Sequence, residues 1–225
     1  MPEFLAELLN QNDIFTAPTI MEYWGGLVTT VQLVFLSLIL GLLVAVPLAI
    51  MRTSKNPLIN GPVWFYTYIF RGTPLLIQLY IIYYGLAQIE GIQQTFWWDI
   101  FREAFYPALL AFTLNTAAYT TEIIRGAIVA TPSGEIEAAK AYGMSWALRM
   151  RRIILPQLVL NSAPVLGNQL IYILKDTSFL MIITVQDLTY AASSIQSMYF
   201  VPLEPFLIAI ALYWAISLLI EGFVR

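Results

Sequence analysis

The side chains with chemistry to offer sit inside or beside long apolar stretches: Arg71 with Thr73, Glu122, and Asp176 with Thr177. A charge in hydrocarbon costs about 2.5–3.5 kcal/mol on the lower, insertion-based scale, so each one needs a reason to be there. The chain has no histidine and no cysteine. That removes the commonest general base, the commonest metal ligand and all thiol chemistry. No Ser or Asp constellation inside the apolar stretches replaces them, so an intramembrane enzyme is disfavoured and no metal site is expected. What remains is recognition of charge and of hydrogen-bonding groups.

Each of these residues has a functional and a plainer reading. Arg71 lies nine residues past Pro62, roughly 13 Å along a helix that starts there. Gly72-Thr73-Pro74 follows and can interrupt backbone hydrogen bonding. Arg71, Thr73 and freed N–H groups could then meet a carboxylate or line a gate. Alternatively, Arg71 snorkels inward or pairs with a carboxylate on a neighbouring helix. Glu122 and Arg125 are three apart and can pair on one helix face. If Arg125 reaches the headgroups instead, Glu122 is left facing the pathway. Lys175 and Asp176 are adjacent, point in different directions on a regular helix, and make poor mutual partners. A helix break there would let Asp176 and Thr177 present oxygens to a passing solute.

The elements that must position these groups are membrane helices. Hydrophobic residues make up 59% of the chain and charged ones 11%, with a mean hydropathy of +0.73; a soluble domain carries about 25% charged residues. The apolar blocks are long enough to cross a bilayer, which takes about 20 helical residues. The predicted architecture is all-α and polytopic, a single transmembrane domain over residues 1–225 with about five spans. These run near Trp24–Met51, Val63–Ala87 and Ala104–Ala130, from about Ile153, and near Leu203–Phe223. Tyr23, Trp24, Trp64, Trp97 and Trp98 fit an interfacial aromatic belt. Ser37, Gly41, Ala45 and Ala49 put small residues on one helix face, where backbones can approach closely. From Ile153 to Val185 the chain is about 50 Å of uninterrupted helix, too long for a hydrocarbon core of about 30 Å. Pro164 and Lys175–Ser178 are the natural places for a bend or break, and Gln186–Met198 reads as a short surface or re-entrant helix outside. Met1–Asp13 holds acids, no Lys or Arg and no apolar core, so it does not read as a signal peptide. Phe4, Leu5, Leu8 and Leu9 recur at helical spacing, which suits either a surface helix or a frayed start.

Lysine and arginine set the orientation. Arg52 and Lys55 follow the first span; Arg125, Lys140, Arg149, Arg151 and Arg152 cluster after the third; Arg225 ends the chain. The other side has Arg102. Positive loops stay cytoplasmic, which puts the N-terminus outside and the C-terminus inside. The outer segments then hold Glu3, Glu7, Asp13, Glu22, Glu90, Asp99, Glu103, Asp187 and Glu204, a field that favours cations.

Most loops are short, but the cytoplasmic segment at about 131–156 has helical structure of its own. Thr131-Pro132 suits an N-cap followed by proline at the first helical position. Glu135 and Glu137 lie near the positive end of the helix dipole, and Gly143 can end the helix in a left-handed conformation. The spacing predicts a helix over Pro132–Tyr142, then a second helix, with Pro156 at the start of span four. Ala138 and Ala139 would expose so little bulk that the helix could seat in a groove on another protein, with Glu137 at its edge.

Glu137-Ala138-Ala139, three residues, Gly143, nine residues, then Ile153-Ile154-Leu155-Pro156 resembles the EAA loop of ABC-importer permeases, whose helix couples the membrane subunit to an ATPase. Thr67–Leu75, Leu114–Ile123 and Gly134–Ala139 resemble polar amino acid permeases, most of all the M-type membrane subunits of histidine/lysine–arginine–ornithine importers. One departure is that this chain ends at Arg225, where family members often continue in a basic tail. The resemblance implies a type I importer permease in the bacterial inner membrane, with Glu137, Ala138, Ala139, Gly143 and Pro156 serving the coupling. It also implies a second, similar permease subunit (a heterodimer before a homodimer), two ATPase subunits and an extracytoplasmic solute-binding protein. The substrates it implies are polar amino acids, the basic ones first. The sequence has no G-x-x-x-x-G-K-[ST] loop, so ATP and Mg would be bound by partner chains and no cofactor is expected in this one. The rival reading is a self-contained channel or secondary transporter, against which the coupling pattern stands.

Overall fold

Inside a bilayer every backbone polar group must be satisfied by the protein itself, and helix is the only regular structure among residues 16–224, which the computed structural model describes. The surface-helix candidate Phe4–Leu9, the acids Glu3, Glu7 and Asp13, and Arg225 lie outside the described residues. Helix α1, Ala17–Arg52, has 36 residues and is about 54 Å long, starting well before the predicted Trp24. Helix α2, Pro57–Gly72, is capped by Asn56, whose side chain accepts from the Leu58 N–H at 3.0 Å. It begins earlier than expected and carries Pro62 inside it, so Arg71 falls in its last turn rather than at mid-depth. After a break at Thr73-Pro74 comes α3, Leu75–Ala87. A short turn at Ile92–Gln94 and α4, Phe96–Phe101, lead to α5, Phe105–Val129.

The segment after α5 holds α6, Ser133–Ala141, and α7, Trp146–Arg149. A π-type turn at Met150–Ile154 joins α7 to α8, Leu155–Asp176, without interruption. Pro164 does not break α8; it removes one N–H from a helix of 22 residues. The change of geometry comes at Asp176, where the chain tightens into a 3-10 segment over Thr177–Ile183. Helices α9, Leu188–Tyr199, and α10, Glu204–Val224, complete the fold. Two of these, α1 and the Glu204–Gly222 part of α10, are apolar and long enough to cross a membrane by composition alone. The other spans fall short of that because they carry the breaks and the polar groups that the site uses.

Helix α5 is the hub, packing against α1, α2, α3 and α8. Its small residues allow this: Ala108, Ala111, Ala117 and Ala118 are fully buried and let neighbouring backbones approach. The stripe Ser37, Gly41, Ala45 and Ala49 of α1 is buried too. At Gly41 an added Cβ would lie 2.7 Å from the Thr116 methyl of α5, so this stripe is consumed within the chain. Leu33, Leu75, Leu79, Phe112, Ile173 and Leu174 close the central core.

Helix α9 is not a surface element. Leu188, Ala191, Ala192 and Ile195 are buried in a second core with Tyr23 and Ala209. Tyr23 therefore leaves the aromatic belt: it is 7% exposed, and its hydroxyl donates to the Pro205 carbonyl at 3.0 Å. Trp24, Trp64 and Trp97 remain exposed. Asp187 leaves the outer acidic surface as well. It is fully buried and caps α9, accepting from the Thr189 and Tyr190 N–H groups.

The α1–α5 contact makes a prediction. Gly41→Ala should destabilise the protein by about 1–3 kcal/mol through overpacking against Thr116. Gly25→Ala, on the same helix with nothing within 4 Å of the new methyl, should be neutral or slightly stabilising through helix propensity. Thermal unfolding of the two variants in detergent distinguishes them.

Candidate functional site

The break between α2 and α3 begins with backbone arithmetic. Thr73 is extended (φ −117°, ψ 145°), and Pro74 brings no N–H, so the last carbonyls of α2 lose their helical partners. Two side-chain amides take them. Gln78 Nε2 donates to the Phe70 carbonyl at 2.9 Å, to the Thr73 carbonyl at 3.1 Å and to Thr73 Oγ1 at 2.8 Å. Asn115 Nδ2 donates to the Phe70 carbonyl at 3.3 Å and to Gln78 Oε1 at 3.0 Å. Gln78 and Asn115 are both buried. Neither is among the site residues expected from the sequence, although an amide inside a span must find a partner and is a signal in itself.

The break opens one side of a cleft of about 720 Å³, within the ~300–1,000 Å³ range of small-molecule sites. Thr73, Pro74, Asn115 and Tyr119 line it on one side; Val165, Gln169, Tyr172 and Asp176 of α8 line the other. The α8 residues recur at i, i+4, i+7 and i+11, which is one helix face. Asp176 is half-buried, and its carboxylate has no hydrogen bond or ion pair among the described residues. Arg71 stands beside the cleft, its guanidinium 5.5 Å from the Tyr119 ring centroid, inside the cation–π range. Tyr119 also donates its hydroxyl to the Arg71 carbonyl at 3.3 Å. No carboxylate pairs with Arg71 among the described residues, so of its plainer readings the carboxylate pair is absent, and an aromatic face stands beside the guanidinium.

Two of the pathway candidates lie elsewhere. Glu122 is 11% exposed and held from both sides. Its Oε2 accepts from Arg125 Nε at 2.6 Å, and its Oε1 accepts from Arg52 Nε at 2.9 Å and from the Thr67 hydroxyl at 3.1 Å. Arg52 also donates to Asn60 Oδ1 at 2.6 Å. The predicted Glu122–Arg125 pair is present, and Arg52, expected free in the loop, completes a clamp across α1, α2 and α5. Glu122 has no oxygen left to face a pathway. Thr177 is fully buried and turned away from the cleft. Its hydroxyl donates to the Leu174 carbonyl at 2.7 Å and lies 3.2 Å from Tyr213 Oη. Tyr213 in turn donates to Asp187 Oδ2 at 3.2 Å, which ties the 3-10 segment to α9 and α10.

In the segment after α5, α6 starts one residue later than expected. Pro132 holds the N-cap position in place of Thr131. Thr131 is buried and donates its hydroxyl to the Ala127 carbonyl at 3.3 Å, serving an unpaired carbonyl in the last turn of α5. Gly143 ends α6 with φ +73°, and the Met144 N–H reaches the Ala139 carbonyl at 3.0 Å. Glu137 and Ala138 are exposed, as expected for a docking face. Ala139 is not: it is 5% exposed, turned inward one turn from the half-buried Ile136. The outward face is Gly134, Glu137, Ala138 and Ala141. Pro156 sits in the first turn of α8 and is exposed. Among the described residues there is no group of three or more potential metal-ligating side chains.

Residues 37–225 match the family described as binding-protein-dependent transport system inner membrane component. The nopaline transport system permease protein NocM of Agrobacterium fabrum is 44% identical over 197 residues, which cover 87% of this chain and 82% of NocM. The histidine/lysine/arginine/ornithine transport system permease protein HisM of Escherichia coli K12 is 42% identical over 216 residues, 91% of each chain. Among solved structures, an amino acid ABC transporter crystallised with histidines superposes with a TM-score of 0.80 at 35% identity, covering 91% of this chain and 92% of that one. The inward-facing MetNI methionine transporter, at 17% identity and a TM-score of 0.73, shares the fold.

The clamp makes a prediction that separates structure from transport. Glu122→Ala leaves two arginines facing each other without their carboxylate. Removing one partner of a fully buried pair costs about 3–5 kcal/mol, and this part-buried network, with Arg125 34% exposed, should lose less than that. The variant should therefore unfold at a markedly lower temperature in detergent and accumulate poorly in membranes. A stable Glu122→Ala protein whose only defect is a raised KM for uptake would return Glu122 to the pathway.

Proposed function

The chain belongs to the binding-protein-dependent transport system inner membrane components, as a permease subunit of an amino acid ABC importer, and on that premise we propose that it carries cationic amino acids through the α2/α3–α8 cleft. The observation that carries this reading is the unpartnered Asp176 carboxylate on the cleft wall, with Arg71 at the cleft margin. An α-amino acid with a basic side chain presents one carboxylate and two cationic groups. Asp176 complements an ammonium or guanidinium, and Arg71 complements the carboxylate; the Thr73 hydroxyl already donates to the Ile69 carbonyl, and Thr73 serves the cleft by shaping the break. HisM, 42% identical, is named for histidine, lysine, arginine and ornithine, and NocM for nopaline. These names support polar, nitrogen-rich substrates and basic ones first.

The chain works as one membrane subunit of a larger assembly in the inner membrane. In our reading the second permease is a similar but distinct chain, the N-terminus faces outward and the C-terminus inward, and an extracytoplasmic binding protein delivers the solute. Partner ATPases bind ATP and Mg, and α6 seats in them. Glu137 and Ala138 form the contact, and Gly143 keeps the turn tight. Pro156 sets the start of α8, and Ala139 supports α6 from its inner side.

The test is the complex reconstituted with its ATPase, its second permease and its binding protein. Arginine, lysine, histidine or ornithine should stimulate ATP hydrolysis and compete for uptake, while glutamate and aspartate should not. Asp176→Asn should lower uptake at least roughly tenfold, since truncating one partner of a buried charge contact costs about 2–5 kcal/mol. Ala138→Trp should prevent the ATPase from co-purifying while leaving the membrane subunit inserted. Stimulation by acidic amino acids alone, or full transport by Asp176→Asn, would sink the substrate reading. Intact assembly of Ala138→Trp would sink the docking face.

A further inference from the structure

Helix α6 touches the rest of the chain through little besides its two connecting turns and the buried methyl of Ala139. One side-chain hydrogen bond leaves it: Gln157 Nε2, in the first turn of α8, donates to Glu135 Oε2, in the first turn of α6. Among the described residues it is the sole hydrogen bond from a side chain of α6 to another helix. The two residues stand 22 positions apart in the chain, so the bond closes the segment containing α6, Gly143 and α7 into a loop. Helix α8 is also the helix that presents Val165, Gln169, Tyr172 and Asp176 to the cleft.

We propose that Glu135 and Gln157 are positioning residues for energy coupling, a brace that makes α6 and the cleft-lining helix α8 move as one body. The inference rests on the reading of α6 as the ATPase-docking helix. The reason is mechanical. A helix of nine residues, pushed from outside and held only by its short connecting turns, would swivel on them; a side-chain tie to the first turn of α8 converts that swivel into displacement of α8. Helix α8 passes from Leu155 to Asp176 without a break, so displacement at its cytoplasmic end is delivered to Asp176. The tie is a matter of geometry before charge, because an amide oxygen can also accept it, if more weakly than a carboxylate. Glu135 therefore differs from Glu137, whose carboxylate faces away from the chain.

The test uses the reconstituted complex and reads substrate imported per ATP hydrolysed, together with co-purification of the ATPase. Glu135→Ala and Gln157→Leu should each lower that ratio two- to tenfold, the range set by one hydrogen bond of about 0.5–1.5 kcal/mol, with the ATPase still bound. Glu135→Gln keeps an acceptor and should behave as the wild type. Gln157→Glu puts two carboxylates together and should be impaired. Adding Glu135→Gln to it restores a donor–acceptor pair in the reverse sense and should rescue the ratio. A wild-type ratio in Glu135→Ala, failure of the double variant to rescue Gln157→Glu, or loss of the ATPase from Glu135→Ala would each overturn the brace. That last outcome would make Glu135 a docking contact. Ala138→Trp, run alongside, reports on the docking reading independently of the brace.

Discussion

A backbone carbonyl in hydrocarbon must find a donor inside the protein, and this protein leaves a helix broken where that demand is hardest to meet. Chain continuity through α2 and α3 would have satisfied the bilayer with no help from side chains. The Thr73-Pro74 break gives that up, and the amides of Gln78 and Asn115 restore the balance by donating to Phe70 and Thr73. Each unmade bond there would cost about 1–3 kcal/mol. With the break sealed from within, its outer side can stay irregular and face a cleft instead of lipid. Irregular backbone at membrane depth is tolerated where it is buried in protein or lines a cavity, and here it does both.

The rest of the molecule serves to hold that break against α8. Helix α5 supplies Asn115 and Tyr119 and, about one turn beyond Tyr119, Glu122, whose clamp with Arg52 and Thr67 fixes α1 and α2 to it. The buried small residues of α1 and α5 bring the helices close enough for these side chains to reach. Strain is accepted at two places flanking α9. Thr184 and Phe200 adopt left-handed conformations at φ 63° and 55°, uncommon for residues with a Cβ. They bracket α9, which Asp187 and Tyr213 pin in place.

Much of this was legible in the sequence, for reasons that can be named. Hydropathy located most of the helices that the structure contains. The spacing of the 131–156 segment foretold its short helix and the left-handed Gly143 that ends it. The Gly72-Thr73-Pro74 break and the change of helix at Asp176 followed from local backbone chemistry. What the sequence could not supply was which way a side chain turns once helices pack. Ala138 and Ala139 look alike in the sequence, yet one is exposed and the other buried. Glu122 had a local partner in view, three residues away, while Arg52 reaches it from 70 residues away. Asp176 and Thr177 are adjacent, and the tightening of the helix between them sends one to the cleft and the other into the core. Tyr23 and Asp187 sat where an interface residue and a surface acid would be expected, and tertiary packing claimed both.

The central claim is that the α2/α3 break and the 165/169/172/176 face of α8 enclose a water-filled path for an amino acid. The chain contains no cysteine, so single cysteines can be placed at Thr73, Val165, Gln169 and Tyr172 and, as controls, at Val159 and Leu160, exposed residues of α8 that do not line the cleft. In the assembled transporter the four cleft positions should react with a membrane-impermeant thiol reagent, and saturating substrate with ATP should change their rates. The two controls should react slowly and show no response to substrate. Cleft positions as unreactive as the controls, or rates that ignore substrate at all four, would contradict the account.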